Sequence, residues 1–216
     1  MPPLKMNAVA WGLLVVAGLA APFLVYPVFA MKILCLALFA CAFNLLLGYT
    51  GLLSFGHAAF LGTAGYVTGH TVKVLGFQPE IGILAGTATA AALGYVIGSL
   101  AIRRSGIYFA MITLALAQMV YFMSLQMPFT GGEDGLQGVP RGKLFGMIDL
   151  LHPLYMYYFV FAIFLPGFWV IYRTIHSPFG QVLKAIRENE PRAISLGYDV
   201  EKYKLTAFVL SAALSG

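Results

Sequence analysis

The sequence predicts an all-α, polytopic transmembrane helical bundle in which one helix is interrupted by glycines. Three observations carry that expectation. Hydrophobic residues fill 60% of the 216 positions and charged residues only 10%, against about 25% charged in soluble domains, and mean hydropathy is +0.85. Apolar stretches of roughly the 20 residues that a bilayer requires follow one another along the chain. One junction between two of them is the run Gly48-Tyr49-Thr50-Gly51-Leu52-Leu53-Ser54-Phe55-Gly56-His57-Ala58-Ala59-Phe60-Leu61-Gly62. Lipid offers no partners to loose backbone groups, so a glycine-broken segment at membrane depth must be shielded by protein or line a wet cavity. Interrupted helices of that kind commonly hold transported solutes near the bilayer midplane, so the chain is expected to form part of a transport pathway.

The first apolar span is expected over residues 9–29, with Pro22 and Pro27 kinking its outer end. The second, 33–47, is short; the third, 52–72, follows the glycine break. The fourth covers 81–102, the fifth 107–125 and the sixth 154–172. A last apolar run, 205–216, is too short to cross, so the chain is expected to stop inside a helix and to lack a C-terminal part. In the fourth span Gly82, Gly86, Ala90, Gly94 and Gly98 recur every four residues. Such a stripe of small side chains predicts close approach of another helix.

The net charge is +5, and the basic residues gather at the ends of apolar spans rather than in a nucleic-acid-binding patch. With the N-terminus inside, Lys5, Arg103, Arg104, Arg173, Lys184, Arg187, Arg192, Lys202 and Lys204 fall on the inner side. Lys32, Lys73, Arg141 and Lys143 fall outside, and this asymmetry predicts a cytoplasmic N-terminus. Lys5 before an apolar run would also suit a cleaved signal peptide, but no small-x-small site precedes Lys32, so an uncleaved first helix is expected. Cys35 and Cys41 lack CxxC spacing and neighbouring ligands, which predicts packed, inert thiols and neither a metal site nor a cofactor.

Two hydrophilic segments remain. The outer one, residues 126–152, contains Thr130-Gly131-Gly132. The inner one, 173–204, shows apolar residues at helical spacing over 179–188, then Pro191 suited to the first turn of a second short helix and Gly197 to its stop. Two short amphipathic helices of this kind can dock a soluble partner or lie flat on lipid. On periodicity alone the two readings stand level.

Within the spans, His57 carries the strongest functional signal, because ionisable groups at membrane depth usually face a cavity or a partner. A histidine tied to a neighbouring helix carbonyl is the competing reading. Asn44, Thr113 and Gln118 would line a path or bond between helices. Gly51 and Gly56 would permit irregular backbone there, with Ser54 and His57 projecting near the solute.

The glycine run ending in Ser54-Phe55-Gly56-His57-Ala58, the Thr130-Gly131-Gly132 turn, and the stretch from Ser177-Pro178-Phe179-Gly180 to Tyr203-Lys204 together resemble permeases of bacterial branched-chain amino acid ABC importers, the M-type subunit more than the H-type. The resemblance spans nearly the whole chain and implies a single permease domain over 1–216. It also implies a second permease subunit, two cytoplasmic ATPases and a periplasmic solute-binding protein, in a bacterial inner membrane. Residues 126–152 would be periplasmic, and 173–204 the cytoplasmic coupling loop. Arg187, Glu188, Asn189, Arg192, Leu196 and Gly197 occupy the place of the family's ATPase-docking segment, with Ala193, Ile194 and Leu196 expected to enter a groove of the partner. The sequence contains no G-x-x-x-x-G-K-[ST] loop, so ATP hydrolysis would belong to a partner chain. Helix N-termini freed at the glycine break would suit the carboxylate of an amino-acid zwitterion. Urea and short-amide importers share these motifs, while a channel or secondary transporter would need no ATPase. An intramembrane enzyme is disfavoured, since no acidic residue lies within a span to pair with His57.

Overall fold

Proline stands in the first turn of five helices, where its fixed φ fits and its missing N–H costs nothing. These and the remaining helices build the computed structural model of the chain, which describes residues 8–140, 142–144 and 148–216. Lys5 and Arg141, both used in the charge comparison, lie outside the described residues. The helices are α1 (Ala8–Leu24), α2 (Pro27–Asn44), α3 (His57–Lys73), α4 (Pro79–Ala101), α5 (Ile107–Gln126), α6 (Pro153–Ile175), α7 (Pro178–Glu188), α8 (Glu190–Ser195) and α9 (Val200–Ser215). Between α2 and α3, residues Leu45–Thr50 continue α2 as a π-helical turn. The segment between α5 and α6 adds two short 3-10 turns and a hairpin of two-residue strands, β1 (Lys143–Leu144) against β2 (Ile148–Asp149).

Two span boundaries differ from the sequence expectation. Pro27 does not kink the first span; it opens α2, after an extended Tyr26 (φ −54°, ψ 124°). Residues before proline disfavour the helical region, so the chain reverses there. The second span therefore runs Pro27–Thr50, 24 residues rather than a short segment. The third begins at His57 rather than Leu52, because Leu52–Gly56 is irregular. Among the described residues four helices are long and apolar enough to cross a membrane: Pro27–Thr50, Pro79–Ala101, Ile107–Gln126 and Pro153–Ile175. At 17 residues each, α1 and α3 sit at the short end of a crossing length.

Packing falls into three parts. The largest cluster joins the end of α2 with α3, α4, α5 and α9 through Leu46, Phe60, Ala90, Ile97, Phe109 and Phe208. The small-residue stripe of α4 is shared by two neighbours: a Cβ on Gly82 would sit 3.0 Å from Val72 of α3, and one on Gly94 would sit 2.5 Å from the Ala212 methyl of α9. A second cluster joins α1, α2 and α6 around Met31, Tyr157, Phe161 and Phe164, and Tyr157 donates across to the Gly18 carbonyl at 2.6 Å. The third holds α7, α8 and the start of α9 together through Ile186, Ala193 and Val200.

Candidate functional site

At Gly51 the backbone turns left-handed (φ +73°) and the π-helical turn ends, a conformation glycine adopts without steric cost. The chain then runs irregularly to Gly56, which precedes α3. Ser54 is buried, and its Oγ accepts from the Gly56 N–H at 3.2 Å. Phe55 N–H donates to Thr113 Oγ1 at 3.3 Å, and that hydroxyl donates to Ala110 O within α5. A Cβ on Gly56 would lie 2.8 Å from the Thr113 carbonyl oxygen. Gly56 is thus a close contact between the break and α5. Thr113 lies about two helical turns inside α5 from Ile107, so the break sits toward the α7 end of the bundle and not at its middle.

His57 is 2% exposed and opens α3 inside a box of four phenyl rings, those of Phe39, Phe43, Phe60 and Phe208. Its Nε2 is 2.8 Å from Ser211 Oγ, and Ser211 donates its one proton to the Ala42 carbonyl at 2.5 Å. Ser211 therefore accepts, and the network assigns the imidazole proton to Nε2. Nδ1 is buried with no hydrogen-bond partner among the described residues. The arrangement pins α3 to α9 and, through Ala42, to α2.

The groove between α3 and α5 lies elsewhere. It encloses about 230 Å³ and is lined by Phe55, Ala58, Ala59, Gly62, Thr63, Tyr66, Gln118, Tyr121 and Ser124, among others. Of the residues proposed from sequence as path-lining, Gln118 is in it. Ser54 and His57 are in the core, and Gly56 faces Thr113. Asn44 is exposed and packs its Oδ1 against Gly48. The break enters the groove through Phe55, a residue sequence reasoning passed over because it carries no polar atom.

Thr130 is buried, its hydroxyl set between the carbonyls of Ser124 and Met127 at the end of α5. Gly131 follows in a left-handed turn. The segment after α5 folds over the end of α3: Phe129, just before Thr130, packs on His70 with ring centroids 4.1 Å apart, and Lys73 Nζ donates to Gln137 O at 2.6 Å. The Thr130-Gly131-Gly132 motif thereby shapes a turn that seats this loop.

At the other end, Ser177 caps α7 by accepting from Gly180 N–H at 3.4 Å. A Cβ on Gly180 would crowd Thr174 O at 2.7 Å, which accounts for the Ser-Pro-Phe-Gly run at this tight corner. Asn189 Oδ1 accepts from Arg192 N–H at 3.0 Å and caps α8, and Gly197 ends it with φ +86°. Ala193, expected to enter a partner's groove, is 2% exposed and packs inward with Ile186 and Val200. Ile194 and Leu196 are 58% and 66% exposed. Lys204, almost fully buried, pairs with Glu190 at 2.8 Å and ties α8 to α9. Asp199 caps α9; a hydrogen bond from the Lys202 side chain holds its carboxyl below the usual range. Arg187 is exposed as well, and its Nη1 donates to the Gly48 carbonyl.

The family model described as "Branched-chain amino acid transport system / permease component" matches residues 26–216. The chain belongs to that family. It is 28% identical to the high-affinity branched-chain amino acid transport system permease protein LivM of Salmonella typhimurium across 99% of this chain and 54% of that protein. The LivM protein of Escherichia coli K12 is 27% identical with the same coverage. A probable branched-chain amino acid transport permease protein LivM of Methanocaldococcus jannaschii is 25% identical over 72% of this chain and 47% of its own. The chain spans about half the length of the curated relatives it matches. No solved structure matches it significantly. Family membership and four long apolar helices make this a multi-pass membrane protein and a transport permease component.

Proposed function

We propose that this chain belongs to a membrane-spanning permease subunit of an ATP-driven importer for branched-chain or similarly apolar amino acids. The family match over residues 26–216 carries the reading. Its partners are a second permease subunit, two cytoplasmic ATPases and a periplasmic binding protein, in a bacterial inner membrane with the N-terminus cytoplasmic. Residues 1–216 belong to one permease domain, residues 126–152 to a periplasmic loop, and residues 173–204 to the cytoplasmic coupling loop.

Two structural features support this assignment of parts. Ile194 and Leu196 stand exposed on a helix pair outside the bundle, while Glu188, Asn189 and Arg192 are exposed beside them and set register at the rim of a partner groove. The α3–α5 groove offers small and aromatic side chains with a few hydroxyls and the Gln118 amide, a lining suited to an aliphatic side chain with a polar head. The second permease subunit closes that groove into a path. The test is uptake of radiolabelled leucine into right-side-out vesicles of the native host's membranes, loaded with ATP or without it, with affinity capture of the permease. Uptake that needs ATP, and capture of an ATPase subunit, are expected. Leucine flux without ATP, with no ATPase captured, would make the protein a channel or secondary transporter instead.

A further inference from the structure

The last turn of α2 and the loop helix α7 are joined by two cations whose positions ATPase docking does not require. A helix end leaves its final carbonyls without helical partners, and at membrane depth protein must supply them. At this end Thr50 Oγ1 donates to Leu46 O at 2.5 Å, and Arg187 Nη1 of α7 donates to Gly48 O. The Arg187 stem crosses Gly51, where an added Cβ would lie 3.2 Å from Arg187 Cγ. Lys184, one turn earlier on the same face of α7, holds Nζ 5.2 Å from the centre of the Tyr49 ring, within cation–π range. Both cations sit at the negative end of the helix dipole, over the left-handed turn at which the backbone leaves the helix. The far side of α7 is locked to α8 and α9 through Ile186, Ala193 and Val200. The far end of the break is held to α5 through Phe55, Gly56 and Thr113, beside the groove.

We propose that Lys184 and Arg187 form a clamp through which displacement of α7 by a docked ATPase moves the Gly48–Gly51 turn and, through Phe55, the wall of the α3–α5 groove. Arg187 is then a positioning residue that faces the break and not the ATPase. The proposal rests on the coupling-loop reading above. It adds a joint at which a cytoplasmic helix unit meets an irregular segment that reaches the groove. A contiguous chain of contacts needs a measured coupling to count as a route, and the turn offers a simple one.

The experiment compares leucine uptake, ATP hydrolysis and ATPase retention in vesicles holding the assembled transporter. Arg187→Ala is expected to keep the ATPase bound and hydrolysis within about twofold of wild type, while leucine taken up per ATP falls at least tenfold. Arg187→Met keeps the stem over Gly51 and loses only the bond to Gly48, so it serves if the alanine variant fails to accumulate, with the same expected result. Loss of the ATPase from either Arg187 variant would place that residue in the docking surface and overturn the clamp. Unchanged uptake per ATP would overturn it as well. Wild-type uptake that ignores ATP would instead sink the importer reading itself, so the two failures are told apart.

Discussion

Removing the Ser211 hydroxyl isolates the proton of a buried histidine, and the consequence can be worked out from the bonds present. Ser211 Oγ accepts from His57 Nε2 at 2.8 Å and donates to Ala42 O at 2.5 Å. In Ser211→Ala, Ala42 O keeps its place in the α2 ladder, so its loss is small. Among the described residues His57 keeps none: Nδ1 already has no partner there, and Nε2–H would face phenyl rings. A buried donor left unmade costs about 1–3 kcal/mol. For a chain of this size each kcal/mol lowers the melting temperature by about 2–4 °C. Replacing both members by apolar groups of similar volume, His57→Leu with Ser211→Ala, removes the orphan and should recover most of the loss, giving a coupling of about 1–2 kcal/mol in the double-mutant cycle. The assay is thermal unfolding of the detergent-solubilised protein followed by size-exclusion chromatography. A double variant that loses the sum of the two single losses would refute the pairing. His57→Gln adds a functional arm. With a purely structural histidine, uptake keeps its pH dependence in the glutamine variant, whereas a changed affinity or pH profile with intact expression would show that protonation of His57 takes part in transport.

Four further outcomes follow from the geometry. Gly56→Leu should abolish uptake, because even its Cβ would lie 2.8 Å from Thr113 O and the rest of the side chain would drive the break from α5; normal uptake would refute the close contact. Gly94→Ala should destabilise the α4–α9 interface by about 1–3 kcal/mol through the Ala212 methyl, and Ala212→Gly should restore it, as measured by the same unfolding assay. Leu196→Asp buries an unpaired charge if Leu196 meets the ATPase, a change that typically costs several kcal/mol; the ATPase should dissociate while the spans stay inserted, and unchanged association would leave α8 as a lipid-surface helix. Single cysteines should react with an impermeant reagent at Asp134 and not at Asn189 in intact spheroplasts, and the reverse pattern would invert the orientation.

Hydrophobic run length and proline placement help set where the helices of this chain lie, because each is a local property: an apolar segment must bury its backbone bonds within itself in lipid, and proline fits a first turn at no cost, although Pro22 and Pro166 stand inside α1 and α6. Pro79, Pro153, Pro178 and Pro191 behave that way, and the four-residue stripe of α4 correctly foretold close packing. Pro27 was the exception in sequence reasoning, since a proline within a continuous apolar run signals a kink and a helix start alike, and only the packing of α2 against α6 and α9 separates the two. The glycine break was legible for the same local reason, as Gly51 must hold a left-handed turn. What each polar side chain of the break faces was not legible. For His57 the sequence left a solute-facing and a structural reading open; Ser211, some 150 residues onward, pairs with it and four phenyl rings enclose it. The small Gly56 is spoken for by Thr113, and Arg187, which looks like a docking charge, is drawn back to a carbonyl 139 residues away. The sequence alone determined that the chain forms long apolar helices and that the backbone breaks in the glycine run, because those follow from run length and φ. The tertiary structure decided which polar groups are spent on one another and which remain free for a partner, because hydrogen-bond satisfaction in a low-dielectric core depends on neighbours that only folding brings together.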